Sequence, residues 1–459
     1  MRAIVLWGCV ACGLVTGCYS PTPQPGAPCN SNGDCPSGLE CAPTGTCEKP
    51  TGTGDDGGPT TDSCANALCN GDQLIGCSAQ PITCPYGCGG ADPHCLQLAP
   101  SNNLTLAMLQ GSTADVTLDK LNFDAGDGSI KMMNNEIRAG GNGVIAGIRF
   151  QVTNGVAVWT ANSWTLSAGN DWTFTGTRPV TLFANTTIKI SNTLDFSATG
   201  SAAAFGGAAS NPSTASNNCP GTTVACCGRA GRAIDANHAE GGGGGGGGGA
   251  TMGANGGQSN QGGTFTGIGG ACATRPTTIP LVGGNSGGAS GSAPGGAGGG
   301  AVSFVAMDSV TISAAISVSG GGGSNAGSNG GGGGGGGGAI FIEAPTVTVS
   351  GQLTANGGGG GAPGGGTIGA DGTTNNATIA QGGTYSGSGG PARGGNGGAG
   401  TTTPTVGTSY NFDDAVLMVN YNRGGGGGGG YGKIEVKRKT GGVSGLASPA
   451  ASITDAVFQ

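Results

Sequence analysis

The sequence predicts an all-β chain, a right-handed parallel β-helix or solenoid with long glycine-rich excursions, preceded by small disulfide-rich modules. Three observations predict it. Short runs alternate apolar and polar residues with almost no helical periodicity. One apolar phrase returns in copies beginning at Ile188, Val310 and Val347. Glycine and proline supply 106 and 23 of the 459 residues, with glycine concentrated in the runs 241–249, 331–338 and 424–430.

The N-terminus reads as export machinery. Arg2 precedes an apolar stretch over 3–15, too short for a stable membrane span and suited to a signal peptide occupying 1–17. The stretch ends Leu14-Val15-Thr16-Gly17-Cys18, which resembles a bacterial lipobox. That resemblance makes Cys18 the lipidation residue and acyl chains the route to a membrane. Tyr19 and Ser20 follow with no aspartate, so the expected destination is the outer membrane, with the chain displayed at the cell surface.

A Pro-rich tether, SPTPQPGAP, completes residues 18–28. Setting aside Cys9, Cys12 and Cys18, the cysteines fall in three even clusters, as pairing in an oxidising compartment requires. Cys29, Cys35, Cys41 and Cys47 define a module over 29–49. Its DCPSGLEC stretch resembles short EGF-like or Dickkopf-type knots. After a linker over 50–63, Cys64, Cys69, Cys77, Cys84, Cys88 and Cys95 define a second module over 64–98. Such units bury too little to fold on a core alone, and bridges supply the stability. Pairing is left open, and both modules read as a stalk. The third cluster, Cys219, Cys226, Cys227 and Cys272, lies in the longest excursion.

The glycine-rich domain spans 104–459. Strands are expected at 116–118, 121–123, 144–152, 156–159, 164–166, 172–174, 180–183, 188–190 and 194–196. Aligning the phrase puts Ile188, Val310 and Val347 in one column, Ile190, Ile312 and Val349 in a second, and Leu194, Ile316 and Leu353 in a third. Ser191, Ser313 and Ser350 share a polar position. A lone copy buries about four apolar side chains, at roughly 1.5–3 kcal/mol each. Ordering its backbone costs about 1–2 kcal/mol per residue, so copies must stack. The uneven spacing assigns the glycine runs to excursions from one corner. Two states are open to them: floppy loops, or polyproline-like strands packed through backbone groups.

Little in the chain advertises chemistry. Charged residues are 9% and the formal net charge is −7, which gives no reason to expect nucleic acid. Lys433, Lys437, Arg438 and Lys439 read as a solvated strand face. Asp235, His238 and Glu240 form a weak candidate site for metal or acid–base work. No catalytic motif, cofactor motif or metal-ligand spacing stands out. Glu343 stands nearly alone among the outward positions of the phrase. A row of Thr311 and Thr348 ends in Lys189, too short a lattice for ice. Trp159, Trp164 and Trp172 serve either as a sugar platform or, by the better reading, as filling for the first coils.

The segments TRPVTLFA around Arg178, TIKISNTLDFSATG, AVSFVAMDSVTISAAISVSGGGG and AIFIEAPTVTVSGQLTANGGGG carry a resemblance to glycine-rich surface lipoproteins predicted in myxobacterial genomes. The resemblance covers most residues after Val116 and implies no activity. The expected function is a lipid-anchored, surface-displayed structural or adhesive protein without catalysis. Expected partners are the membrane, and extracellular polysaccharide or another cell-surface protein. The alternative is a β-helix lyase or glycosidase, or a carbohydrate-binding protein.

Overall fold

The computed structural model describes residues 67–459, except 79, 134, 211–226, 232–240, 260–266, 270–277, 326, 328–329, 388–389 and 415–418, together with two short strands before them; for 410–422 it describes backbone only. Cys18, Cys29, Cys35, Cys64, Cys219, Cys226 and Cys272 lie outside the described residues, as do Asp235, His238 and Glu240. The chain divides into two compact units, Met1–Ser63 and Cys64–Gln459. In the first, Glu40–Cys41 pairs antiparallel with Cys47–Glu48, setting Cys41 opposite Cys47.

The second unit is essentially all β and rests on three sheets that the chain visits in fixed order. Sheet A contains Gly143–Ile145, Ile148–Thr153, Val156–Ala161, Val180–Ala184, Ala301–Ala306, Ala339–Glu343, Lys433–Arg438 and Ser452–Asp455. Its first three strands are antiparallel, and from Val156–Ala161 onward every pairing is parallel. Sheet B is wholly parallel: Asp115–Val116, Ser163–Leu166, Thr187–Ile190, Ser309–Ile312, Thr346–Val349 and Thr440–Val443. Sheet C stacks Leu194–Asp195, Ile316–Ser317, Leu353–Thr354 and Ala447–Ser448, also parallel.

The three apolar columns expected from the sequence are the observed registers. Ile188, Val310 and Val347 pair in succession, as do Ile190, Ile312 and Val349. Leu194, Ile316 and Leu353 do the same in sheet C. In sheet A the columns are Val180–Val302–Ile340–Ile434 and Leu182–Phe304–Ile342–Val436. All these side chains lie in one buried cluster. A further rung, over 433–448, continues the stack with Gly441, Val443 and Ala447 in the three columns.

Aromatic residues fill the opposite end. Phe123 contacts Trp159, Trp164, Trp172 and Phe174, with ring centroids 4.7–5.9 Å apart. Beside them Arg138 is fully buried, and its guanidinium donates to the carbonyls of Ile148, Gly128, Ala139, Gly141 and Gly143. The stretch 144–152, expected as one strand, is a hairpin instead. Ala146 and Gly147 both have positive φ, 51° and 72°, which reverses the chain.

The glycine runs are packed. Residues 241–249, 331–338 and 424–430 are all buried. Along 331–338 the N–H groups of residues 331, 334 and 337 donate to the carbonyls of 424, 427 and 430. Those of 332, 335 and 338 donate to 324, 321 and 318, and those of 333 and 336 to 288 and 285. Carbonyls 331 and 334 accept from 244 and 247, carbonyls 332 and 335 from 361 and 358, and carbonyls 333 and 336 from 296 and 299. All these bonds measure 2.7–2.9 Å. A three-residue repeat with lateral bonding is that of a polyproline II helix, three residues per turn. The run therefore has six neighbours, three receiving its donors and three its acceptors. Those six also bond one another in turn, through 424 to 241, 426 to 361, 320 to 356, 321 to 297, 284 to 299 and 288 to 245, closing a hexagon.

Glycine is required for this spacing. A Cβ on Gly334 would lie 2.0 Å from the Gly358 carbonyl oxygen, and one on Gly427 would lie 2.1 Å from that of Ala254. A Cβ on Gly442, in sheet B, meets nothing within 4 Å. Gly334→Ala should therefore destabilise the protein by at least about 1–3 kcal/mol, the cost of overpacking. Gly442→Ala should stay within about 0.5 kcal/mol of the parent in thermal or denaturant unfolding. Equal effects would contradict the packed-bundle description.

Candidate functional site

The outer face of sheet B is the most regular exposed surface that the described residues build. Its side chains alternate with the buried columns, so the same parallel register that stacks Val and Ile also stacks their polar neighbours. Thr187, Ser309, Thr346 and Thr440 form one ladder. Thr165, Lys189, Thr311, Thr348 and Gly442 form the next. Beyond the strand ends Ser191, Ser313, Ser350 and Ser444 donate their N–H groups to the carbonyls of Leu166, Ile190, Ile312 and Val349, continuing a column that starts at Ser167. All five of these serines are exposed. Rungs repeat at about 4.8 Å and columns at about 6.7 Å. Hydroxyls meet across rungs, Thr346 with Thr440 at 3.0 Å and Ser313 with Ser191 at 3.2 Å. Ser191, Ser313 and Ser350 are legible in the aligned phrase; Ser167 and Ser444 sit in rungs whose apolar columns carry other residues.

The tryptophans do not reach this surface. Trp159 and Trp164 are fully buried and Trp172 nearly so. Their indole N–H groups donate to the carbonyls of Gly128, Phe183 and Leu118. They belong to the main buried cluster, and the sugar-platform reading is set aside.

Glu343 corrects the expectation of an outward acid. It is fully buried on sheet A, where Oε2 accepts the Ser101 N–H and Oε1 accepts the Ser101 hydroxyl, both at 2.7 Å. Lys437 Nζ donates to the same serine oxygen at 2.9 Å. Burial raises the Glu343 pKa; the two Ser101 bonds and the Lys437 charge act against it, and Glu435 adds to it. Glu435 is held the same way, accepting from the N–H and hydroxyl of Thr278 at 3.0 and 3.1 Å, with Lys433 Nζ at 3.5 Å. The basic cluster is thus not a plain solvated face. Lys433 and Lys437 serve buried carboxylates, and Lys439 lies over the rings of Tyr86 and Phe458.

Disulfides join Cys69 to Cys88 and Cys84 to Cys95, and Cys77 and Cys227 are also disulfide-bonded. His94 is exposed, with Nδ1 2.7 Å from the Asp92 carbonyl. No group of three metal-ligating side chains occurs among the described residues. A recess lined by Gly249, Thr278, Pro280, Gly337, Ala339 and Lys433 holds about 10 Å³, the size of one water. No protein-family model, curated protein or solved structure matches this chain.

The raised Glu343 pKa has a defined consequence for stability. The folded state holds this proton more tightly than the unfolded chain does. The contribution is present below the ordinary glutamate pKa and is lost as pH rises through the higher folded value. Thermal midpoints should fall across that window, and Glu343→Gln should flatten the slope. A wild-type slope retained in the variant would assign the effect elsewhere.

Proposed function

We propose that this chain is a lipid-anchored, surface-displayed structural or adhesive protein, non-catalytic, whose three sheets wind as a right-handed parallel β-helix. The winding reading is supported by the A, B, C order of strands in the four rungs that begin at Val180, Ala301, Ala339 and Lys433, and by their parallel registers. The observation that carries the functional reading is how the surface and interior are divided. The stack and the glycine bundle use their backbone and apolar side chains for packing. They leave outward a repeating face of hydroxyls whose charged members are Lys189 and, on the first strand, Asp115. Such a face suits many weak, simultaneous contacts to extracellular polysaccharide or another cell-surface protein.

The enzyme alternative is less well supported. A glycosidase needs two carboxyl groups open to a sugar, on opposite sides of the scissile bond. On sheet A, Glu343 and Glu435 are buried and each is occupied by a serine or threonine, which leaves Asp455 as the exposed acid of its strands. Carbohydrate binding without catalysis remains compatible with the hydroxyl face.

Three experiments test the proposal. Cys18→Ser should abolish fatty-acid labelling and release the protein from the membrane fraction; unchanged labelling would sink the anchor. Deleting residues 302–436 should impair attachment or cell–cell contact while the remaining chain still reaches the surface. Release of reducing ends or unsaturated products from a polysaccharide panel would favour the enzyme.

A further inference from the structure

The rungs of a parallel stack contact only their neighbours, so such a stack frays from its ends. One end here is weak. The last strand of sheet A, Ser452–Asp455, is exposed at every position, and the last rung offers Gly441, Gly442 and Ala447 where earlier rungs offer Val, Thr and Leu. A segment distant in sequence reaches this end. Gln97 and Gln459 exchange backbone bonds at 3.0 and 2.9 Å, Ala99 donates to Val457 at 2.8 Å, and Leu98 pairs antiparallel with Phe458. Tyr86 stacks on Phe458 with ring centroids 5.2 Å apart.

The same segment then runs back over the outer face of sheet A. Ser101 sits on Glu343 and Lys437, at the middle and late rungs. Asn102 and Asn103 follow with φ of 59° each, a left-handed turn that asparagine accepts better than most residues. Leu104, Met108 and Leu109 pack with Val156, Val158, Phe183, Val305 and Phe341 in a buried cluster separate from the main core. Gln110 then accepts from Arg149 at 2.7 Å, beside the antiparallel strands that begin the sheet. In about a dozen residues the chain touches the last rung, the middle rungs and the first.

We propose that residues 97–110 are a strap that couples the first rung of the stack to the last, so that the weak C-terminal rung opens only when the strap lifts. Without it the energetics would be those of nearest neighbours, and a change at the first rung would be invisible at the last. With it, the two ends share one opening event.

Hydrogen exchange by mass spectrometry on the full, disulfide-intact chain tests this. Leu109→Ala loosens the strap at its first-rung end. It should speed exchange at Glu435–Arg438 and Ser452–Asp455 by about tenfold, while the buried glycines 331–338 keep their protection. Acceleration confined to residues around 104–112 would make the segment a local cover and overturn the proposal. If Leu109→Ala does not fold, Arg149→Gln, which removes only the bond to Gln110, puts the same two outcomes to the test. Acceleration of the glycine tracts together with the last rung would also overturn it, because opening would then be global.

Discussion

Every buried peptide group must find a hydrogen-bond partner, and most of this molecule follows from how it meets that demand where side chains are missing. A buried N–H or C=O left alone costs free energy comparable to a lost hydrogen bond. In the sheets the demand is met by neighbouring rungs. In runs such as 331–338 a two-sided strand would turn half of a side-chain-free backbone toward nothing. A threefold helix turns successive residues toward three directions as donors and three as acceptors, and six neighbours answer them. The interior of the bundle is backbone packed on backbone, in place of the interlocking side chains of an ordinary core.

This arrangement offsets the entropic loss that makes glycine a poor building material. It works because each run is attached to a sheet. Gly338 leads directly into Ala339–Glu343 and Gly432 into Lys433–Arg438, so the apolar columns fix where each run begins. The columns and the bundle are mutually dependent. Val318 and Asn356 sit at the junction: Gly338 donates to the carbonyl of Val318, just after its sheet C strand, and Gly320 to that of Asn356.

The sequence made the columns legible because β-branched residues alternate with small polar ones in three copies at shared spacing. It signalled the strand at 432–436 but hid the rest of that rung, where Gly441 and Ala447 break the apolar phrase while keeping the register. It also hid the fate of Glu343, because the partner that sequesters it lies 242 residues away. The choice between floppy and packed glycine was invisible within pure glycine runs, since a threefold period leaves no mark when every residue is the same. On the rim of the bundle the mark exists: Met252, Asn255 and Gln258 are exposed at intervals of three, with Gly253 and Gly256 buried between them. The hydroxyl face was partly visible, as a shared serine position, and became a surface only when register joined Ser167 and Ser444 to it.

The threefold bundle also imposes a parity on its own growth. An excursion that leaves sheet C and re-enters sheet A must cross the bundle an even number of times. That after Ile316–Ser317 crosses twice, out along 318–324 and back along 331–338. Along each crossing, inserting or deleting three residues keeps every donor facing its neighbour, while a change of one or two rotates all later peptide groups to the wrong face. In genetic terms, nine-base slippage in these tracts is silent to the lattice, and slippage by three or six bases is not. A protein built this way can vary its lateral extent by adding whole pairs of crossings without altering a single residue of the stack that holds them.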